Sequence, residues 1–383
     1  MASNSSAADD SGLSTATRSN RPGSPSERSK STLEVTLLKA DQLTGEEIAA
    51  WTQIRANNPA LDNPFFDVAY VTTFGSFNTE VEVAVMRRGG EIVGFFPFER
   101  DSANRGWPVG RRIADFQGVI CAQDLDFDAT ELVKKCQLRS WRFSNLVTTP
   151  PFERSCREIV ESGYIDLSDG MAVYEQGRKE AGSSMLGQIR RKARKIEREI
   201  GPLNFEWRSN DQRAFEKMLE WKAAQRTRTR TADPLKSEQV VAFLEHLMQV
   251  PGPDFSGLMS VLYVGDEVAA VHLGIHNASV LNICFPTYNL EFSKYSPGMI
   301  LFLRLMEGCI EQEIHRIDLG AGPERYKSSM MTGAHSLGHG IVSVGVGSVA
   351  VHSSWYWLRK MSRHSLLAPH VQRLKHTFRG FRE

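Results

Sequence analysis

Residues 281–320 read LNICFPTYNLEFSKYSPGMILFLRLMEGCIEQEIHRIDLG, and their reading decides the fold. Leu281 to Thr287 is apolar and ends at Tyr288-Asn289, the pattern of a buried strand. Ser296-Pro297-Gly298 then starts a helix: serine is a favoured N-cap, and proline at the first helical position lacks only an N–H that would have no partner anyway. Met299, Phe302, Leu303, Met306, Cys309 and Ile310 share one helical face, with Arg304, Glu307, Glu311 and Gln312 largely opposite, until about Glu313. Arg316 to Leu319 forms the next strand, broken by Gly320-Ala321-Gly322-Pro323. Strand, helix, strand predicts parallel strands joined by a right-handed crossover. The helix start leaves the amides of Gly298, Met299 and Ile300 at the positive end of the dipole, where an anion such as a pyrophosphate fits. Every helix has such an end, so from this segment alone an ordinary crossover helix is the favoured reading.

Working outward, 383 residues suit two domains. Hydrophobic residues make up 41% and charged residues 24%, the balance of a globular chain with a real core. Forty-six basic against 45 acidic residues leave a net charge of +1, so no global field draws the chain to nucleic acid or an anionic membrane. The five cysteines, Cys121, Cys136, Cys156, Cys284 and Cys309, form no Cys-x-x-Cys pair, which predicts reduced thiols in a cytoplasmic protein. The opening residues lack the apolar core of a secretory signal, and no stretch approaches the ~20 apolar residues of a membrane span.

Residues 1–31 hold ten serines and almost nothing apolar, so a disordered tail is expected over 1–32. A first globular half is expected over 33–167 and a second over 168–352. Each contains a hairpin. Val81, Val83 and Val85 alternate, Gly89-Gly90 turns, and Ile92 to Phe98 returns; Leu258 to Val264 alternates, Gly265-Asp266 turns, and Val268 to Ile275 returns. An offset of 176 residues lays Glu91 on Glu267 and Val85 on Val261, a hint of internal duplication. Between the hairpins, Arg178 to Arg198 reads as one basic helix, taken first as a solvated face and second as a phosphate or RNA contact. Asp211 to Thr227 reads as another helix. Residues 353–383 form a basic, mildly amphipathic tail, either a terminal helix or a contact with a membrane surface or a polysaccharide synthase.

Four ordered motifs then matter together. Asp318-Leu319-Gly320-Ala321-Gly322 with Glu324, Tyr326 and Lys327 resembles the closing motif of the CelD/BcsL-type acetyltransferases of the GNAT superfamily. Trp221-Lys222-Ala223-Ala224-Gln225-Arg226, Tyr295-Ser296-Pro297-Gly298 and Asp115-Phe116-Gln117-Gly118 resemble three further elements of that family. The resemblance covers roughly residues 33–358. It implies an α/β fold of two GNAT-like halves, each a mixed central sheet flanked by helices, as also in the Fem peptidyltransferases, with acetyl-CoA or another acyl-CoA held as substrate by the second half. The usual glycine-rich pyrophosphate loop is reduced here to Ser296-Pro297-Gly298.

On this resemblance Cys284, Phe285, Ser296, Gly298, Met299 and Ile300 contact the cofactor, and an amine or hydroxyl acceptor attacks the thioester directly. Tyr326 is the candidate acid at the leaving sulfur, with Tyr288 in reserve, and Asp318 and Glu324 are candidate bases or acceptor ligands. Asp318 equally suits a loop cap, and Glu324 a partner of Lys327. Trp221, Gln225, Arg226, Tyr288 and Lys327 are the candidate substrate contacts. Cys284, without an identifiable histidine partner, is expected to be a small buried hydrophobe rather than a nucleophile. His272 and His276 stand ~13 Å apart on a strand, too far to share an ion. His335 and His339 lie in a glycine-containing stretch, and no metal is expected. Two other classes stay open: a Fem-like transferase using aminoacyl-tRNA, supported only by Arg190 to Arg198, and a non-catalytic partner of a polysaccharide synthase.

Overall fold

The alternating valines at 81–85 and the run at 258–264 each form the first strand of a hairpin, and the two hairpins turn out to be copies of one unit. A computed structural model describes residues 32–249, 252, 255–322 and 325–345; the tails expected over 1–32 and 353–383 lie outside them, except for Thr32. The first half runs β1 (Glu34–Lys39), α1 (Gly45–Ala56), α2 (Val68–Phe77), β2 (Val81–Arg88), β3 (Glu91–Arg100), β4 (Arg105–Trp107), β5 (Ile120–Cys121), α3 (Ala129–Lys135), β6 (Ser140–Val147), α4 (Pro150–Glu153) and β7 (Cys156–Asp166). Two helices follow, α5 (Gly170–Glu180) and α6 (Met185–Glu199). The second half runs β8 (Leu203–Glu206), α7 (Gln212–Thr229), α8 (Glu238–Gln249), β9 (Ser256–Val264), β10 (Glu267–His276), β11 (Val280–Asn282), β12 (Thr287–Tyr288), α9 (Pro297–Glu311), β13 (Arg316–Ala321), α10 (Arg325–Met330) and β14 (Gly333–Ser343).

All these strands join one mixed sheet in the order β1-β2-β3-β4-β6-β14-β7-β13-β11-β10-β9-β8, with β5 beside β3 and β12 beside β10. The order is a palindrome. The pair types mirror it: β4·β6 and β11·β13 are parallel, and the other pairs are antiparallel. The offset of 176 residues survives in the registers, since Val85 faces Phe95 and Val261 faces Val271. Even the β-bulge recurs, between Met86 and Arg87 in one hairpin and opposite Leu262 and Tyr263 in the other. The fold is thus α/β with two like halves, each a mixed sheet flanked by helices.

The halves are interleaved at the centre. β7 lies between β14 and β13, and β14 lies between β6 and β7, so a line at Leu167 divides the chain but not the sheet.

Side-chain alternation assigns the faces. On one face Val83, Val85, Val261, Val271 and Leu337 share a single core with Trp51 of α1, Phe74 of α2, Phe215 of α7 and Phe243 of α8. The Phe74 and Phe243 rings meet edge-on at 4.9 Å, linking α2 to α8 across the halves. The opposite face is divided. α9, α5, α6 and α10 cover the second half, and α3 covers the first. The broad apolar stripe of α9 includes Ile300, Leu301, Phe302, Leu305 and Met306, with Arg304 and Glu307 paired at 2.8 Å on the outside.

The basic segment expected as one helix from Arg178 to Arg198 is two. Gly182, at φ 80°, turns the chain between α5 and α6, a conformation that a helix cannot contain.

Because Leu337 of β14 is fully buried between β6 and β7 in the shared core, Leu337→Ala should cost about 2–5 kcal/mol. Denaturant unfolding should still show one transition, shifted as a whole; a separate early transition of one half would contradict the interleaving.

Candidate functional site

β11 and β13 stay paired only through Val280↔Arg316, Leu281↔Ile317 and Asn282↔Asp318. The Ile283 amide donates to the Asp318 carbonyl at 3.0 Å, and beyond that rung the strands part. Phe285 N turns to the Leu273 carbonyl at 2.8 Å, and Thr287 and Tyr288 join β10. β13 bends toward β7, its register slipping between Asp318 and Ala321. The result is a fork, with Cys284, Phe285 and Pro286 on one prong and Leu319, Gly320 and Ala321 on the other. The continuous strand expected over Leu281 to Thr287 is therefore broken at 283–286, where Pro286 has no N–H to give a ladder.

α9 springs from behind this fork, and its start differs from expectation. Ser296 is left-handed (φ 55°, ψ 56°), and its side chain makes no cap. Its hydroxyl accepts from Lys192 Nζ of α6 at 2.6 Å. Its carbonyl accepts the amides of Met299 (2.9 Å) and Ile300 (3.2 Å). Of the three amides expected to be open, that leaves Gly298. The Tyr288 ring lies 3.2 Å from where a Cβ on Gly298 would sit, so any side chain there would have to push the ring aside. α6 is thus more than a solvated face: Lys192 reaches the α9 start, while Arg190 pairs with Glu175 and Lys195 lies 4.0 Å from Glu199.

The mirror fork in the first half is shut. Val147 N donates to the Gln117 carbonyl at 2.8 Å, Gln117 N to the Asn145 carbonyl at 3.0 Å, and Ser144 N to Gln117 Oε1 at 2.9 Å. Its helix, α3, starts under the Asp128 carboxylate with Glu131 in the first turn, whereas α9 has no acid there. Carboxylates occupy the first helix start and a lysine attends the second, so only the second favours an anion.

On the α9 side, Tyr326 packs in the α9 core with its ring 6.3 Å from that of Phe302. Lys327, expected as a substrate or phosphate contact, is instead buried and donates to the Gly320 carbonyl at 3.0 Å, tying α10 to the fork. Glu324 lies outside the described residues. On α7, Trp221 packs against the shared core and Lys222 is buried, but Gln225 is exposed and Arg226 reaches Thr231 Oγ1 at 3.5 Å. The helix turns its first two motif residues inward and its last two toward the surface.

On the shared face, two motifs 200 residues apart meet. Gly320, at φ 70°, leaves space that the Asp115 carboxylate fills, 2.9 Å from where a Cβ would stand. Asp318 is fully buried rather than free to act as a base or loop cap. Its Oδ2 accepts from Asn63 Nδ2 at 2.8 Å, and its Oδ1 lies 3.2 Å from both Arg316 Nε and His335 Nε2. Asn63, Asn282, Ser162 and His335 carry this cluster, and the first three have no local sequence signal, because their partners come from other strands. The Cys284 thiol is pushed well above its ordinary value by burial and then by the charge of Asp115, so it is a poor nucleophile. Among the described residues no three His, Cys, Asp or Glu side chains gather as metal ligands would.

With this geometry, residues 183–328, from the α5–α6 turn to α10, match the acetyltransferase (GNAT) domain family. No curated protein matches the chain. Among solved structures, a tandem GNAT protein from the clavulanic acid biosynthesis pathway is similar at 13% identity and TM-score 0.48, over 82% of this chain and 100% of that one. The C-terminal domain of a putative lysylphosphatidylglycerol synthetase from Agrobacterium fabrum is similar at 11% identity and TM-score 0.47, over 81% and 95%. FemX is similar at 10% and 0.47, over 83% and 99%. The segment that matches the GNAT domain family, residues 183–328, spans the open fork and α9.

His272 is fully buried, and burial, with Lys222 adding to it, pushes its pKa down to about 3. The unfolded chain therefore binds a proton below pH 6.5 that the folded chain refuses, and stability is lost as pH falls from 6.5 toward 3. Replacing it, His272→Leu, should flatten the urea-unfolding free energy over that range by up to about 1.4 kcal/mol per pH unit; an unchanged slope would refute the assignment.

Proposed function

We propose that the chain is an acyl-CoA-dependent N- or O-acyltransferase in which the acceptor attacks the thioester directly. The observation that carries this is the contrast between the forks: one zipped by Gln117 over an acid-capped helix, the other open, with Gly298 and Lys192 at the start of α9. The match of residues 183–328 to the acetyltransferase (GNAT) domain supports the same reading.

In this reading the thioester lies in the fork, between Cys284-Phe285 and Leu319-Gly320. The CoA phosphates extend toward the Gly298 amide, Ser296 and Lys192, held by one amide and one cation rather than a glycine-rich loop. Tyr326, on the α9 side, is the candidate donor of a proton to the departing thiolate. The raised pKa of Cys284 favours direct transfer over an acyl-enzyme. An amine or hydroxyl acceptor, such as an amino sugar of polysaccharide synthesis, approaches from the other face.

Thermal unfolding with acetyl-CoA tests this. Saturation at about 100 times Kd should raise stability by about 2.7 kcal/mol. Gly298→Trp should abolish that gain, because an indole beside the Tyr288 ring would cover the start of α9, and Tyr326→Phe should keep the gain and lose turnover. An unmoved wild-type midpoint at millimolar acetyl-CoA would sink the proposal.

A further inference from the structure

Resting on that reading of the fork, we infer that the acceptor is received on the face opposite α9, against a polar cluster of Ser162, Asn282, Asp318 and His335, and that His335 takes the proton from its nucleophile. The face follows from register. Ile317 and Leu319 point into the α9 core, so Asp318 between them points the other way. Asn282 stands beside it in the ladder. Leu337 lies in the shared core, so His335 shares its face, and Ser162 is directly opposite His335.

Asp318 orients the ring. A carboxylate partner at Nε2 requires the hydrogen on that nitrogen, which leaves the lone pair of the neutral imidazole on Nδ1. The Phe116 ring, edge-on at 5.3 Å, and the Tyr164 ring, at 4.8 Å, hold it in place. The His335 side chain keeps 31% of its exposure while Asp318 keeps none, so the histidine is the reachable member of the pair. The charged and titratable groups facing it are Asp318 and, behind it, Arg316 on β13, and Tyr164 on β7; Asp115 stands beside Gly320 on the same face.

The second observation is a pair of orphans. Ser162 and Asn282 are fully buried, and neither Ser162 Oγ nor Asn282 Nδ2 has a hydrogen-bond partner among the described residues. Leaving such a group buried without a partner destabilises the fold. One offers a donor and the other a hydroxyl, beside a base and on one face. They fit a primary amine with a neighbouring hydroxyl. As the amine nitrogen attacks the thioester carbon, the C–N bond forms and the C–S bond breaks. The sulfur leaves with the electron pair, and the nitrogen's proton passes to His335 Nδ1. CoA departs on the α9 side after taking up a proton.

The test measures thiol release from acetyl-CoA by the full chain with glucosamine, ethanolamine and n-butylamine. The two hydroxylated amines should outpace n-butylamine, and Ser162→Ala should raise KM for them alone. His335→Gln can still donate to Asp318. It should keep the acetyl-CoA thermal shift and lose about 10²- to 10⁴-fold in kcat/KM. A wild-type rate in His335→Gln would overturn the inference, as would a wild type that binds acetyl-CoA but releases no thiol above buffer with any of these amines. Absence of the thermal shift in wild type marks instead a failure of the acyl-CoA reading, on which this one stands.

Discussion

The pairing of β7 with β14 is the constraint on which the rest depends. Each is an eleven-residue strand whose backbone N–H and C=O groups must find partners once buried. Each finds them partly in the other half: β14 with β6, and β7 with β13. Neither half can complete its sheet alone. The exchange also sets Asp318, Ser162 and His335 side by side, on three adjacent strands drawn from both halves.

A polar latch reinforces this at the second fork. The first-half loop supplies Asp62, which accepts from Asn277 Nδ2 at 3.2 Å and Ser279 Oγ at 3.0 Å, and pairs with Arg316 at 3.6 Å. Its neighbour Asn63 holds Asp318. A buried carboxylate is tolerable only with such donors. The first half thus braces the fork of the second, and its own fork is filled by Gln117.

Duplication and divergence are visible in the same residues. The hairpins keep a common register and bulge, because changing either would move every side chain to the wrong face. The helix starts do not need to agree, and they have separated into an acid-capped α3 and a lysine-attended α9.

Much was legible in the chain order alone. The alternation at 81–85 and 258–264, the helix at 297–311 and the strand at 316 follow from local periodicity, which is a property of neighbours along the chain. The motif residues Asp115 and Gly320 were legible as motifs, though not as contacts. What only the tertiary structure decided depends on partners far away in sequence. Ser296 appeared as a cap, but its left-handed turn and its bond to Lys192 belong to the packing of α6. Lys327 appeared as a ligand contact until burial gave it the Gly320 carbonyl. Asp318 appeared as a base, yet its three donors come from positions 63, 316 and 335, and His335 was weighed only as a metal ligand. The sequence by itself determined the strand-helix-strand unit and the likeness of the halves. Which fork is open, and which side chains meet around Asp318, were decided by the interleaving of two strands that no local pattern records.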